Sequence, residues 1–297
     1  MITRSIYIGN PAYLKLKDEQ LYIMEPETGQ MKGKVPVEDL GLLMLDHFQI
    51  TISHQLIQKM MGNNVVVISC DAHHLPHGIM LPLHGHTEFS NRIKTQMEAS
   101  EPLKKQLWKQ TVECKIENQK EVLRRLGNYY EPMNNYRSSV KSGDITNMEG
   151  IAAQHYWKYL ISLDFLRQRF GESPNQFFNF GYAVLRSIVA RAIVETGMLP
   201  VLGIFHKNKY NPYCLADDLM EPYRPFVDLL VMDWLASHPD SEELSKEFKA
   251  HLLNIATKDV KIDGLRRPIL VAVKTTVSSL YKCYIGEKRL ISYPELI

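Results

Sequence analysis

The residues best equipped for chemistry crowd into one stretch, His206 to Asp228, which reads HKNKYNPYCLADDLMEPYRPFVD. Asp218 and Glu221 stand three apart, so on a helix their carboxylates share a face. His206 precedes them in a polar, turn-rich run able to fold back over the start of that helix. Far upstream, Glu149 in ITNMEGIAAQHYW adds a further carboxylate. One imidazole with two or three carboxylates makes a hard, oxygen-rich site that suits Mg2+ or Mn2+ better than zinc. Such a centre polarises a phosphodiester and activates an oxygen nucleophile, which points to metal-dependent DNA cleavage and strand transfer.

Each acid also has an ordinary explanation. Thr146-x-x-Glu149 and Asp218-x-x-Glu221 both fit a capping box, and the positive end of a helix favours carboxylates in any case. His206 alone fits a polar loop, and periodicity does not bring residues 149, 206 and 221 together. The surrounding cations shift the balance. Lys207 and Lys209 flank His206, Arg224 lies one turn beyond Glu221, and Arg186, Arg191, Arg167 and Arg169 fall on neighbouring helices. Arg137 and Lys141 add charge in a loop at 136–144. Carboxylates amid so many cations make sense around a phosphate backbone bridged by divalent ions; the competing reading is a set of surface salt bridges. Asn211 and Tyr213 are placed to shape the loop or to touch DNA.

The elements that must position these groups fall into two blocks, an α+β arrangement. Residues 1–70 read as a small β-rich domain: a strand at Ser5–Ile8, a hairpin over 13–24, strand candidates at 35–37 and 42–45, and a buried strand at 65–69. Ser53 caps a helix over 54–61. Residues 71–90 read as a linker rich in Pro, Gly and His. Its His73, His74, His77, His84 and His86 have no regular metal-ligand spacing, so structural histidines are the expectation. Residues 91–297 read as a larger, all-helical domain that holds the catalytic residues. Its helices are expected at 91–126 (one helix, or two with a kink at Pro102), from about 146 through 165, at 174–196, 218–235 and 241–255, and at 269–284.

Composition restricts the classes. Net charge is only +2, so bulk charge barely argues for nucleic acid and local clusters must carry that case. Four scattered cysteines without a CxxC pair form neither a zinc framework nor a disulfide scaffold. Fifteen tyrosines offer stacking and interface surface. No run reaches the roughly 18 to 20 apolar residues of a membrane span, and the N-terminus lacks an apolar signal segment, so a cytoplasmic location is expected.

Long blocks of the chain resemble a known family: SIYIGNPAYLKLKDEQLYI, KVPVEDLGLLMLD, ISHQLIQKMMGNNVVVISCD, SGDITNMEGIAAQHYW and LADDLMEPYRPFVD. They are similar to the CRISPR adaptation integrases, the endonuclease subunits of spacer acquisition. The likeness is greatest to the type II branch that accompanies the large single-protein RNA-guided nuclease. The resemblance implies an N-terminal β domain and a C-terminal helical domain. It places the metal ligands on Glu149, His206 and Glu221, with Asp218 accessory and Asp217 a weaker candidate. It further implies a homodimer formed through the β domains, with two dimers flanking a dimer of a small ferredoxin-like partner in a four-plus-two complex. The implied reaction inserts prespacer DNA at the leader–repeat junction by 3′-hydroxyl attack. Two alternatives stay open: a catalytically silent DNA-binding scaffold, in which the acids only cap helices, and a metal-dependent phosphohydrolase acting on small molecules.

Overall fold

The computed structural model describes residues 4–83, 86–168 and 171–296; His84 and Arg169 lie outside the described residues. The chain begins with strands β1 (Arg4–Ile8), β2 (Ala12–Lys17), β3 (Gln20–Met24), β4 (Met31–Pro36), β5 (Leu40–Leu45) and β6 (Ile50–Ile52). Helix α1 (His54–Gly62) and strands β7 (Val66–Cys70) and β8 (Pro76–Met80) follow. β2 and β3 form the expected hairpin, with Lys17 paired to Gln20. Its two-residue turn holds Asp18 and Glu19 at φ 49° and 60°, both left-handed, as a type I′ turn requires. Ser53 caps α1 by accepting from the Leu56 N–H.

These strands build two four-stranded sheets, ordered β4-β3-β2-β6 and β1-β5-β7-β8. In the second, β1, β5 and β7 run parallel and β8 antiparallel. Its side chains alternate between two cores. Leu42, Met44, Val66 and Ile68 pack into a large core shared with the helices, whereas Leu40, Leu43, Val65 and Val67 face a smaller one under the first sheet. Burial of both faces explains why LGLLML and VVISC are nearly unbroken apolar runs. Asp46, at the end of β5, binds the sheet to the helices: it accepts from Tyr7 Oη at 2.6 Å and Lys249 Nζ at 2.8 Å and meets His74 Nδ1 at 2.8 Å. His74 is therefore a structural histidine. The stretch read as a linker contains β8, and its residues complete the sheet.

The remaining helices are α2 (Phe89–Glu98), α3 (Glu101–Arg125), α4 (Pro132–Ser138), α5 (Met148–Leu160), α6 (Asn175–Glu195), α7 (Cys214–Met220), α8 (Arg224–Ser237) and α9 (Lys246–Leu252). Strands β9 (Asp259–Ile262) and β10 (Leu265–Pro268) precede α10 (Ile269–Tyr284). The all-helical expectation needs correcting at β9–β10, a hairpin turned by left-handed Asp263 and Gly264. Of the two alternatives for 91–126, two helices form; they are parted at Ala99–Ser100, where Ser100 caps α3, and Pro102 sits in the first turn of α3. Residues 136–138, read as loop, belong to α4. The helix expected over 218–235 starts earlier and breaks into a 3-10 turn at Glu221–Tyr223, where Pro222 and Pro225 lack donors. An 18-residue window of α6 has a mean hydropathy of 1.3, high enough for a membrane span, but 72% of it is buried inside the protein. It is the central core helix.

Candidate metal centre

Glu149 lies in the first turn of α5, yet it does not cap that helix. Asn147, in a left-handed conformation, is the cap and accepts from the Gly150 N–H. The Asp144 carboxylate accepts from the N–H groups of Met148 and Glu149 at 2.8 and 3.0 Å. With the helix start satisfied by these two residues, the Glu149 carboxylate is free to reach Lys115 of α3, whose Nζ lies 2.5 Å from Oε1. The capping-box reading of Glu149 therefore fails. So does that of Asp218 and Glu221, because Asp218 is inside α7 and Glu221 follows its end.

Glu221 sits at the break between α7 and α8 and is only 4% exposed. Its Oε1 pairs with Arg224 Nη2 at 2.8 Å, and its Oε2 lies 2.5 Å from the same Lys115 Nζ. The Glu221 carboxylate is thus buried between two cations. Burial works against both charges. The Glu221 and Glu149 carboxylates nevertheless keep the Lys115 ammonium charged, above its ordinary pKa, while Arg224 and Lys115 hold the Glu221 carboxyl below its own.

His206 is placed by Asp218. Oδ2 of this fully buried carboxylate accepts from the N–H groups of Ile204 and Phe205 at 2.6 and 2.9 Å. Oδ1 accepts from His206 N at 3.2 Å and meets His206 Nδ1 at 2.5 Å. The loop closes this tightly because residue 203 is glycine; a Cβ there would lie 2.8 Å from Asp218 Oδ2. Phe205 stacks on Trp108 at 4.4 Å, and His206 meets the same indole edge-on. The bond to Asp218 raises the His206 pKa, and the charges of Asp218, Glu221 and Asp217 add to the effect. With Nδ1 committed to Asp218, Nε2 is the nitrogen left to act as a ligand; a carboxylate behind the ring is the usual way to orient a metal-binding imidazole. Asp217 ties the loop down through Arg186 Nε and Asn211 Nδ2, both at 2.6 Å.

Thus Glu149 and Glu221 converge on one cation, while Asp218 holds His206, whose charge acts on Glu221. Among the described residues no group of three or more His, Cys, Asp or Glu side chains is close enough to hold a metal; Lys115 stands between the two glutamates. The donor set still fits a hard divalent ion: two carboxylate oxygens meet at one point, and an imidazole is anchored by a carboxylate through Nδ1.

Beside the centre opens a cavity of about 770 Å³, lined in part by Lys115, Arg167, Arg186, Arg224, Trp157 and Tyr182. Arg224 lies over the Tyr182 ring at 4.5 Å. Tyr182 and Tyr156 donate to buried Asp228 at 2.6 and 2.9 Å, and burial lifts the Asp228 pKa to about 6. Sequence reasoning missed Lys115, Tyr182 and Asp228. Lys115 left a signal: it is a cation on the buried stripe of α3, between Thr111 and Val112 on one side and Asn118 and Gln119 on the other.

The basic candidates scatter. Arg186 and Arg224 line the cavity, but both are engaged with acids of the centre. Lys207 pairs with Glu101 at 3.1 Å, Lys209 lies over Tyr210 at 4.8 Å, and Arg137 meets Glu117 at 3.1 Å, all toward the surface. Lys141 is exposed. Arg191 is placed elsewhere: its guanidinium donates to the Asn64 carbonyl and meets Glu195, fastening α6 to the turn between α1 and β7.

The sequence matches the family model for CRISPR associated protein Cas1 over residues 6–259. It is 33% identical over 301 residues to the CRISPR-associated endonuclease Cas1 of Neisseria meningitidis serogroup C, covering 100% of this chain and 97% of the relative. The fold is similar to that of a casposase bound to integration product (TM-score 0.80, 20% identity, 98% of this chain and 92% of that one). It is also similar to a CAS1 protein from Thermotoga maritima (TM-score 0.79, 18% identity, 98% and 100%). A chain of a Cas6-RT-Cas1–Cas2 complex matches with a TM-score of 0.74 and 16% identity, over 100% of this chain and 36% of its own length.

Proposed function

The chain belongs to the CRISPR associated protein Cas1 family, and from that footing we propose that it is a divalent-metal-dependent DNA endonuclease and integrase. Its reaction joins prespacer DNA to a CRISPR array at the leader–repeat junction. The observation that carries this reading is the convergence of Glu149 Oε1 and Glu221 Oε2 on one cationic point, together with an imidazole whose Nδ1 is fixed by Asp218 and whose charge acts on Glu221. The name of the Neisseria relative, an endonuclease, and the integration product bound to the casposase support the same class of chemistry.

Glu149, His206 and Glu221 would hold Mg2+ or Mn2+. When bound, such an ion lowers the pKa of the attacking 3′-hydroxyl and offsets charge on the phosphorane oxygens. The protein's own groups set the stage. Asp218 would keep the proton on His206 Nδ1 and so leave Nε2 as the ligand nitrogen. Arg224 neutralises the second oxygen of Glu221. Arg186 and Arg224, on the cavity wall, orient the phosphodiester. The attacking 3′-hydroxyl gives up its proton to solvent and its oxygen bonds to phosphorus as the bond to the bridging 3′-oxygen of the target strand breaks; the departing oxygen takes up a proton from solvent. Water in place of the 3′-hydroxyl gives cleavage at the same centre.

The same reading makes the protein a cytoplasmic homodimer, two copies of which flank a dimer of a small ferredoxin-like partner. The Cas1–Cas2 complex among the structural neighbours supports such a partner. The test is a supercoiled plasmid carrying a repeat, incubated with labelled duplex, the protein and the small partner. Joining and nicking should both stop with a chelator and return with Mg2+ or Mn2+. Undiminished joining in the chelator would overturn the mechanism. It would favour the alternative of a silent scaffold, whose acids and cations only hold each other.

A further inference from the structure

A set of metal ligands does not by itself explain Lys115. It is 7% exposed, and a buried ammonium is costly unless charge answers it. The answer is unusual: two carboxylates from different elements, each with an oxygen 2.5 Å from Nζ. A hard divalent ion bound through the same oxygens would sit about 2.0 to 2.6 Å from each, so it needs the very position that the ammonium fills. Ion and ammonium also repel, and they cannot share it. Lysine suits a group that must move, being a compact charge on a flexible four-carbon stem, whereas arginine would lock both carboxylates with a rigid fork. There is also somewhere to go, because Lys115 lines the cavity whose wall carries Arg167, Arg186 and Arg224.

We infer that Lys115 is a displaceable counter-ion of the centre: its ammonium holds Glu149 and Glu221 in register, yields its place to an incoming divalent ion, and turns into the adjoining cavity to meet a DNA phosphate. This rests on the metal-centre reading above. Two consequences follow from the competition. Lys115 sets the affinity for metal, and its displacement couples metal uptake to the making of a phosphate-binding group. No chemical step is assigned to it; its role is to position the carboxylates and then the strand.

The test is calorimetric titration of the metal-stripped full chain with MnCl2 alone, for the unaltered protein, Lys115→Met and Lys115→Arg. Methionine removes the competing charge at similar length, and the manganese dissociation constant should fall by about tenfold or more. Arginine keeps both carboxylates paired and is harder to displace, so the constant should rise several-fold. A purely structural lysine would not move the two variants in opposite directions. If Lys115→Met does not fold, the arginine variant decides. Manganese bound no more tightly by folded Lys115→Met, or no more weakly by Lys115→Arg, would overturn the inference and leave the metal centre standing. An unaltered chain that takes up no manganese, or a Glu221→Gln variant that binds it equally well, would overturn the metal reading and the inference with it.

Discussion

His206 and Asp218 are joined at 2.5 Å between Nδ1 and Oδ1, and the same carboxylate accepts three backbone N–H groups from the loop that carries the histidine. Asp218 therefore acts as the hub on which the His206 loop is wound, more than as a ligand. Asparagine at 218 offers one acceptor oxygen to four donors. Asp218→Asn should leave buried N–H groups unpaired and cost about 3 kcal/mol, whereas His206→Ala, at a half-exposed ring, should cost about 1 kcal/mol or less. Urea denaturation of both variants in chelator at neutral pH measures the difference. Equal destabilisation would mean that the loop does not depend on the carboxylate.

The same bond fixes a pH dependence. Asp218 raises the His206 pKa above its ordinary 6.5. The folded state thus holds this proton more tightly than the unfolded chain. The resulting stabilisation is full below about pH 6.5 and is lost as pH rises through the higher folded value. Manganese binding needs the neutral imidazole, so affinity should rise over the same window while metal-free stability falls. An NMR titration of His206, paired with manganese titrations across about pH 6 to 9 and a His206→Gln control, checks both trends. Manganese affinity that falls with pH would contradict a ligand role for the ring.

The scattered cations separate into distinct tasks. Lys207 and Lys209 are surface groups with weak partners, so a double change to alanine should reduce the salt dependence of DNA binding by about one unit for each phosphate that a lysine no longer neutralises. Arg191, bonded to the Asn64 carbonyl inside the protein, should leave that slope unchanged when replaced by alanine and should lower stability instead. Arg224→Ala should disturb metal uptake as well as DNA binding, because its guanidinium partners Glu221. Anisotropy across a salt series, with thermal denaturation alongside, sorts the three. A reduced slope for Arg191→Ala would contradict its placement.

Much of this was legible in the sequence because the signals were local. The alternation over 13–24, the Ser53 cap, the apolar run at 65–69 and the last helix at 269–284 all stand where the pattern puts them. The break at Glu221 was written in Pro222 and Pro225, and the β9–β10 hairpin in Asp263–Gly264, but longer helical periodicity on either side outweighed both cues. β8 was hidden because a Pro- and His-rich strand at a sheet edge has little propensity to display. At the site, Glu149, His206 and Glu221 came from the family resemblance and residue chemistry. That Glu149 and Glu221 meet at Lys115 could not be read locally, since it depends on how α3, α5 and the end of α7 pack. The same packing decides that Asn147 and Asp144 take over the capping that the Thr146–Glu149 spacing assigns to Glu149.

The central claim is that Glu149, His206 and Glu221 hold the ion that drives both reactions. Its most direct test is strand transfer of a labelled duplex into a repeat-bearing supercoiled plasmid, with manganese and the small partner present. Unaltered protein is compared with Glu149→Gln, His206→Ala and Glu221→Gln, each first shown to be folded and to bind duplex DNA. The account predicts that all three lose joining and plasmid nicking together, by about a hundredfold or more, because water and the 3′-hydroxyl use one electrostatic centre. Near-normal joining by folded Glu149→Gln or Glu221→Gln would contradict it.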